Sequence, residues 1–208
     1  MLDPRLLGKN IPDKRFLLSE RKGKRMDYRY MREQDREDSS ITKYSKGIIF
    51  RAGNGAQIID KIMINEDEAL REYPFINHAL VIVKSEDDYL FGYHKWRDDW
   101  ETFGGLLETG EGIRECIARE TEEELGLSNV KFEYLGIVHY YMPPDYWNEE
   151  WHEEYGALYG IKIKKDALKV IERCRKDKEE IGEIAFVSEL RKRDSKIDEI
   201  NEALLKFF

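Results

Sequence analysis

Three glutamates in the middle of the chain have the spacing and the surroundings of a metal site. Glu120, Glu123 and Glu124 stand at i, i+3 and i+4 of a segment whose pattern predicts a helix over 113–125. At about 100° per residue, Glu120 and Glu124 share the sector of Ile117 and therefore face the apolar side. Carboxylates placed there repel one another and lose hydration, so they need a compensating cation. A hard divalent ion such as Mg²⁺, which takes oxygen ligands together with substrate phosphates, meets this need.

A glycine-rich stretch before this helix favours the metal interpretation over the alternative, a solvated helix rich in glutamate. Gly105, Gly110 and Gly112 allow backbone conformations that other residues avoid, and Gly126 marks the end of the helix. A turn of this kind, followed directly by inward-facing acids, is typical of a site built around phosphate and metal rather than of a surface helix.

The stretch from Gly105 to Leu127 resembles the signature of the Nudix hydrolase family. In that signature a Gly is followed by five residues, Glu, seven residues, and then Arg-Glu-apolar-x-Glu-Glu-x-Gly-apolar. This chain matches it at Gly105, Glu111, Arg119, Glu120, Glu123, Glu124, Gly126 and Leu127. Thr121 stands where an aliphatic residue is usual, and because it keeps a methyl group we expect a small loss of burial rather than loss of the site.

The resemblance implies an α/β/α sandwich with a mixed sheet, whereas periodicity alone predicts only an α/β or α+β fold. It also implies a hydrolase that depends on Mg²⁺, with Mn²⁺ as the alternative cofactor. Its metal ligands would be the carboxylates of Glu120, Glu123 and Glu124 and the carbonyl of Gly105. The catalytic base would be one of these glutamates or a further one on a nearby loop.

Other residues complete the predicted site. By the same resemblance, Glu111 and Arg119 would form an ion pair that fixes the glycine loop against the helix. Glu154 follows an aromatic loop and is a candidate for a further ligand or the base, with Glu153 as its neighbour in the same role; both could equally be solvated loop acids. The residues predicted to contact substrate, although such aromatic residues are more often core, are His94, Trp100, Tyr146 and Trp147.

Strands and helices on both sides of the signature must position these residues. The apolar runs that predict strands after residue 75 lie at 78–84, 89–94, 130–141, 155–164 and 182–187. The segments that predict helices, besides the signature helix and with 165–178 helical only in part, lie at 66–73, 165–178 and 189–207. A charged loop is predicted at 96–100, just before the signature.

The resemblance extends over residues 75–208, so we predict that residues 1–74 form an N-terminal extension. Two apolar runs flank Gly53-Asn54-Gly55 and predict a β-hairpin over 48–64. Because a lone hairpin is marginal in water, its apolar side chains must be buried against something. In ADP-ribose-type relatives an N-terminal strand region packs across a two-fold axis, so we predict a homodimer; the alternative is packing on the chain's own domain.

Composition argues against several other classes of protein. The formal net charge of −8 argues against nonspecific nucleic-acid binding, although residues 1–46 carry 13 Lys and Arg against 8 Asp and Glu. No apolar run approaches the ~20 residues of a membrane span, and no signal-peptide pattern is present. Cys116 and Cys174 lack a CxxC spacing, which is typical of reduced thiols. We therefore predict a cytoplasmic protein with a small nucleotide substrate and no membrane or specific nucleic-acid partner.

The substrate class is less tightly specified than the reaction. We predict hydrolysis of the pyrophosphate bond in a nucleoside diphosphate linked to another moiety, of the ADP-ribose or nucleotide-sugar type. A dinucleoside polyphosphate or a nucleoside triphosphate is the alternative, because Pro143 and Tyr146 each stand one residue from the family's markers of substrate class. A non-catalytic nucleotide-binding sensor is an alternative of another class, and the complete set of signature acids argues against it.

Overall fold

The structure, a computed structural model, describes residues 48–145 and 148–208. Within these residues the strands are β1 (Phe50–Arg51), β2 (Gln57–Ile62), β3 (His78–Ser85), β4 (Asp88–His94), β5 (Asp99–Glu101), β6 (Phe103–Leu106), β7 (Glu133–Met142), β8 (His152–Lys162) and β9 (Ile181–Phe186). The helices are α1 (Glu66–Glu72), α2 (Ile113–Leu125), α3 (Ala167–Cys174), α4 (Val187–Lys192) and α5 (Glu199–Leu204), and a 3₁₀ turn follows at Leu205–Phe207. The charged segment 1–47 and the predicted contact residues Tyr146 and Trp147 lie outside the described residues.

All the strands named above join one mixed sheet. Its order is β1-β2-β7-β8-β3-β4-β5, with β6 on β3 and β9 on β4. The pair β3–β8 is parallel, and the other pairs are antiparallel. Strand β3 changes partner along its length, because residues 78–81 pair with β6 and residues 83–85 pair with β4. The sheet therefore forks at Ile82, and the glycine loop lies on one branch of the fork.

Helices cover both faces of the sheet, which confirms the α/β/α sandwich. On one face, α1, α2 and α3 enclose a core that includes Ile117, Leu125 and Ile171. On the other face, α4 and α5 contribute Leu190 and Leu204 to a second core. Burial of these apolar side chains, each worth ~1.5–3 kcal/mol, fixes α2 against the sheet from which the glycine loop emerges.

The predicted hairpin is present as β1 and β2. Ala52 N–H donates to the Ala56 carbonyl at 2.8 Å, and Gly55 adopts a φ of 91°, a conformation that favours glycine. Strand β2 pairs with β7, and Ile58 is fully buried in the second core. The hairpin thus packs on its own chain, the alternative arrangement given above.

Several elements differ from the sequence prediction, and residues 99 and 100 of the predicted charged loop belong to strand β5. The segment 189–207 is two short helices and a 3₁₀ turn rather than one helix, since the Asp198 carboxylate accepts from Asn201 N–H and starts α5 afresh. Strands β5 and β6 were not predicted, because they are short and β6 contains Gly104 and Gly105, which have a low strand propensity. In the described ranges, no helix is long and apolar enough to cross a membrane.

Candidate metal and catalytic site

Helix α2 is fixed at both ends by glycine. At its start, Gly112 N–H donates to Glu115 Oε2 at 2.8 Å, which satisfies a backbone group at the helix entrance. At its end, Gly126 has a φ of 65°, and a Cβ there would collide with the backbone of Cys174. The helix therefore spans the residues predicted for it, 113–125.

The inner face of α2 changes character halfway along. Its first half buries Ile113 and Ile117 in the core, whereas its second half points Glu120 and Glu124 at the backbone of β6. Glu124 is only 4% exposed, and its Oε2 accepts the N–H of Gly104 at 2.8 Å.

The glycines of β6 allow neighbouring groups to approach closely, the Glu120 carboxylate at Gly105 and the backbone of β3 at Gly104. A Cβ at Gly105 would collide with the Glu120 carboxylate, so the absence of a side chain there lets the helix approach. Gly104 has a φ of 133°, and a Cβ at that position would meet the backbone of β3. The glycine pair therefore forms a cradle against which the helix carboxylates lie.

One guanidinium is shared among the acids of the loop and the helix. Arg119 donates to both oxygens of Glu111, at 2.8 and 3.0 Å, so the ion pair expected between these residues has a forked geometry. The same side chain reaches Glu120 Oε1 at 2.6 Å, Glu123 Oε2 at 3.5 Å and the Leu106 carbonyl at 3.2 Å. Arg119 thereby ties the end of β6 to the helix while balancing only part of the negative charge.

The electrostatics show how strongly these carboxylates are desolvated. Burial raises the pKa of Glu124 well above its ordinary value, the N–H of Gly104 opposes this shift, and the charges of Glu120, Glu180 and Glu101 add to it. The pKa of Glu120 is raised for the same first reason, against the lowering effect of Arg119. Glu123 is more exposed, with 47% of its side chain accessible.

The donor set fits a hard divalent cation. Carboxylate oxygens crowded into a desolvated cradle are the ligands that Mg²⁺ prefers, and the cation would supply the positive charge that Arg119 alone does not. The residues that could hold it are Glu120, Glu123, Glu124 and the carbonyl of Gly105, which also accepts a weak hydrogen bond from the thiol of Cys116.

Sequence reasoning missed one acid at this site, Glu180. It lies just before β9, close enough for its charge to raise the pKa of both Glu120 and Glu124. Acids on a loop have no periodic pattern, so the only signal was an acidic pair next to a predicted strand. Glu180 is an acid on a nearby loop, the kind of residue that the sequence predicted without assigning it a position.

The structure places two predicted contact residues below the surface. His94 is 4% exposed; its Nε2 lies 2.9 Å from Glu180 Oε1, and its Nδ1 accepts from Arg97 N–H at 3.2 Å. Trp100, 6% exposed, packs in the second core and lies tilted against Tyr93. Neither ring is open to a substrate in this conformation, because other residues of the fold cover both side chains.

Glu154 lies in a different group at the start of β8. Its Oε1 is 2.9 Å from His152 Nε2, and that ring also approaches Asp145 at 3.8 Å and the Glu150 carbonyl at 3.0 Å. Asp145, His152 and Glu154 place their ligand atoms within 4.8 Å of one another. Neighbouring Glu153 contacts His139 instead, at 3.1 Å.

Comparisons with known proteins match the part of the chain that contains the signature. A family model described as the NUDIX domain matches residues 75–200. Two relatives named NAD-capped RNA hydrolase NudC are 25% identical over 91 residues in Pseudomonas aeruginosa and 30% identical over 67 residues in Photobacterium profundum. These matches cover 42% and 31% of this chain but only 33% and 25% of the relatives, so the chain spans about a third of their length or less.

The structural comparison concerns the fold alone. The Bacillus subtilis pyrophosphohydrolase BsRppH is similar, with a TM-score of 0.51 and 19% identity. The match covers 76% of this chain and 93% of that one.

Proposed function

Because this chain belongs to the Nudix family, we propose that it is a pyrophosphohydrolase that depends on a divalent metal. Its substrate would be a nucleoside diphosphate linked to another moiety, of the ADP-ribose or nucleotide-sugar type. The observation that supports this most strongly is the desolvated set of α2 carboxylates against Gly104 and Gly105, which a single guanidinium balances only in part.

In this proposal the residues of the chain divide the work. Glu120, Glu123, Glu124 and the Gly105 carbonyl hold Mg²⁺, with Mn²⁺ as the alternative. When bound, such an ion polarises phosphoryl oxygens and lowers the pKa of a coordinated water.

Two further tasks are to position the carboxylates and to accept a proton from the attacking water. Glu111 and Arg119 keep the glycine loop in register with α2, so that the carboxylates keep their positions. The proton of the attacking water passes to a carboxylate, either one of the α2 glutamates, Glu154 on β8, or Glu180 before β9.

A screen for release of nucleoside monophosphate, separated by chromatography, tests the proposal. The full chain with Mg²⁺ is offered ADP-ribose, nucleotide sugars, dinucleoside polyphosphates and nucleoside triphosphates, with Glu124→Gln as the inactive control. We expect the highest kcat/KM for a compound of the first two groups. A triphosphate or a dinucleoside polyphosphate as best substrate would favour the alternative class, and tight nucleotide binding without turnover would favour a sensor.

The names of the NudC relatives add two arms to this screen. NAD is itself a nucleoside diphosphate linked to a second nucleoside, so it belongs to the proposed class. NAD and NAD-capped RNA should therefore be included. Turnover of both at equal kcat/KM would show that the enzyme reads the dinucleotide and not the RNA, as the chain's net charge of −8 leads us to expect.

The organisation of the whole protein is also proposed. We propose that residues 75–208 are the catalytic unit, that residues 1–74 are an extension and that the protein is a cytoplasmic homodimer. Because β2 pairs with β7 of its own chain, the hairpin would reach a partner through another surface. Light scattering on the full chain decides the dimer, and a monomer would contradict it.

A further inference from the structure

The ring of His94 is held between two partners that define its tautomer. Nδ1 accepts the backbone N–H of Arg97 at 3.2 Å, so in the neutral ring the hydrogen is on Nε2. That nitrogen lies 2.9 Å from Glu180 Oε1 and therefore donates to it. The His94 side chain is 5% exposed and that of Glu180 is 38% exposed, so a buried ring holds a carboxylate that remains accessible to solvent.

The other carboxylate near His94 Nε2, that of Glu101, does not compete with Glu180 for the hydrogen on this nitrogen. Glu101 Oε1 is 3.8 Å from the same nitrogen, too far for a hydrogen bond. The carboxylate of Glu101 is taken instead by Arg97, whose Nη1 contacts its two oxygens at 3.0 and 2.8 Å.

The backbone of Glu180 is fixed as firmly as its side chain. Its carbonyl accepts the N–H of Lys95 at 3.0 Å, and its N–H donates to Asp177 Oδ1 at 2.9 Å. The N–H of Asp177 in turn donates to the Glu123 carbonyl at 2.8 Å, so the segment that carries Glu180 is joined to the end of α2. The Glu180 carboxylate is therefore held from the β4 side through both backbone and ring, on a segment bonded to α2.

We propose that His94 is a positioning residue that holds the Glu180 carboxylate toward the α2 glutamates as part of the metal site. This inference rests on the proposed function, since it presumes that the α2 glutamates bind a cation. Hydrogen bonds to a metal-ligating carboxylate orient it, and their loss typically costs 10–100-fold in metal affinity or activity. The buried histidine thus acts on the metal through Glu180 and not on the substrate.

Side-chain shape gives a sharp test. The amide nitrogen of Gln at position 94 can occupy the place of His Nε2 and still donate to Glu180, whereas the shorter Asn places its nitrogen near the position of Nδ1. Mn²⁺ binding is measured by calorimetry or electron paramagnetic resonance on the full chain and its variants. The Mg²⁺ concentration for half-maximal activity is measured in parallel.

We expect His94→Asn and His94→Leu to weaken Mn²⁺ binding about tenfold or more. Glu180→Gln should match them, while His94→Gln stays close to wild type. His139→Leu is the matched control, because that half-buried histidine contacts Glu153 at the β8 group and should leave Mn²⁺ affinity unchanged.

The outcomes separate the inference from the proposed function. Wild-type Mn²⁺ affinity in His94→Asn or in Glu180→Gln would overturn the inference, as would equal loss in His94→Gln and His94→Asn at matched melting temperatures. If His94→Leu does not fold, the Gln and Asn variants alone decide. Failure of the proposed function looks different, because Glu124→Gln would then bind Mn²⁺ like wild type and no substrate would be turned over.

Discussion

Acidic residues gather in two places, on the inner face of α2 and at the start of β8, and their counter-charges differ. On α2, Glu120 and Glu123 share Arg119 with Glu111, and Glu124 accepts the backbone N–H of Gly104. On β8, Glu153 contacts His139 and Glu154 contacts His152, whose ring also approaches Asp145 at 3.8 Å.

The difference shows that residue type alone does not make a metal site. Each of the two β8 glutamates contacts the ring of a nearby histidine. The α2 acids outnumber their cation in a desolvated cradle, so an added positive charge stabilises them far more. We therefore expect substitutions of the α2 acids to affect activity strongly, and the matched substitution of Glu153 on β8, which contacts His139, to affect it little.

The largest expected effect is on turnover. Glu124→Gln keeps the shape of the side chain but removes a charge, so kcat should fall ~100-fold or more, since metal-assisted charge stabilisation is worth several kcal/mol. The matched change on β8, Glu153→Gln, should leave kcat within about tenfold of wild type. Equal losses in the two variants would end the distinction between the two groups.

The second largest effect is expected on stability, when Arg119, the cation shared by these acids, is removed. Arg119 and Glu111 are 25% and 12% exposed, between the buried and the surface case, so Arg119→Ala should lower the free energy of unfolding by about 2 kcal/mol. The pair Lys176–Glu122 is 62% and 47% exposed, and Lys176→Ala should cost only ~0–1 kcal/mol. Urea denaturation measures both, and an Arg119→Ala curve superimposable on wild type would contradict the first value.

The pH dependence of stability sharpens the same point. The hydrogen bonds from Arg119 hold the pKa of Glu111 below its ordinary value of 4.5. A carboxyl whose pKa is lower in the folded state than in the unfolded state stabilises the fold at pH values above its unfolded-state pKa. This contribution is lost as the pH falls through the folded-state pKa. Glu111→Gln should thus be less stable than wild type at neutral pH, and the difference should shrink below pH 4.5. A difference that stays constant over this range would argue against the ion pair.

The smallest expected effect is the change in stability when an uncharged polar group, the hydroxyl of Thr121, is removed from α2. Thr121 is fully buried, and within the described residues its hydroxyl has no hydrogen-bond partner. Thr121→Val should therefore raise the free energy of unfolding by about 1 kcal/mol. The control is Thr102→Val, which should destabilise, because the Thr102 hydroxyl donates to Asn201 Oδ1. Thermal melts of the two variants should shift in opposite directions.

Local signals account for the parts of the site that sequence predicted. The bounds of α2 follow from Gly112 and Gly126, and the inward sector of Glu120 and Glu124 follows from helical spacing. Thr121 at the aliphatic position of the signature is accommodated by complete burial, as its methyl group allowed.

The remaining parts depend on contacts between residues far apart in the chain. His94 and Glu180 are joined by the pairing of β4 with β9, which no local pattern specifies. Likewise, the group around Glu154 depends on the pairing of β7 with β8, which brings Asp145 close to His152. Strand β8 begins at His152 rather than at the predicted Tyr155, because its polar first residues pair with β7 despite their low strand propensity.

The end of α2 offers a spectroscopic view of the site that needs no enzyme assay. The carbonyl of Glu123 accepts two amides from the segment after α3, those of Lys176 and Asp177, each at 2.8 Å. Their amide protons exchange with solvent only when this junction opens. Slower exchange at these two positions on addition of Mg²⁺ would register a tighter helix end, in a signal recorded on the segment that leads to Glu180.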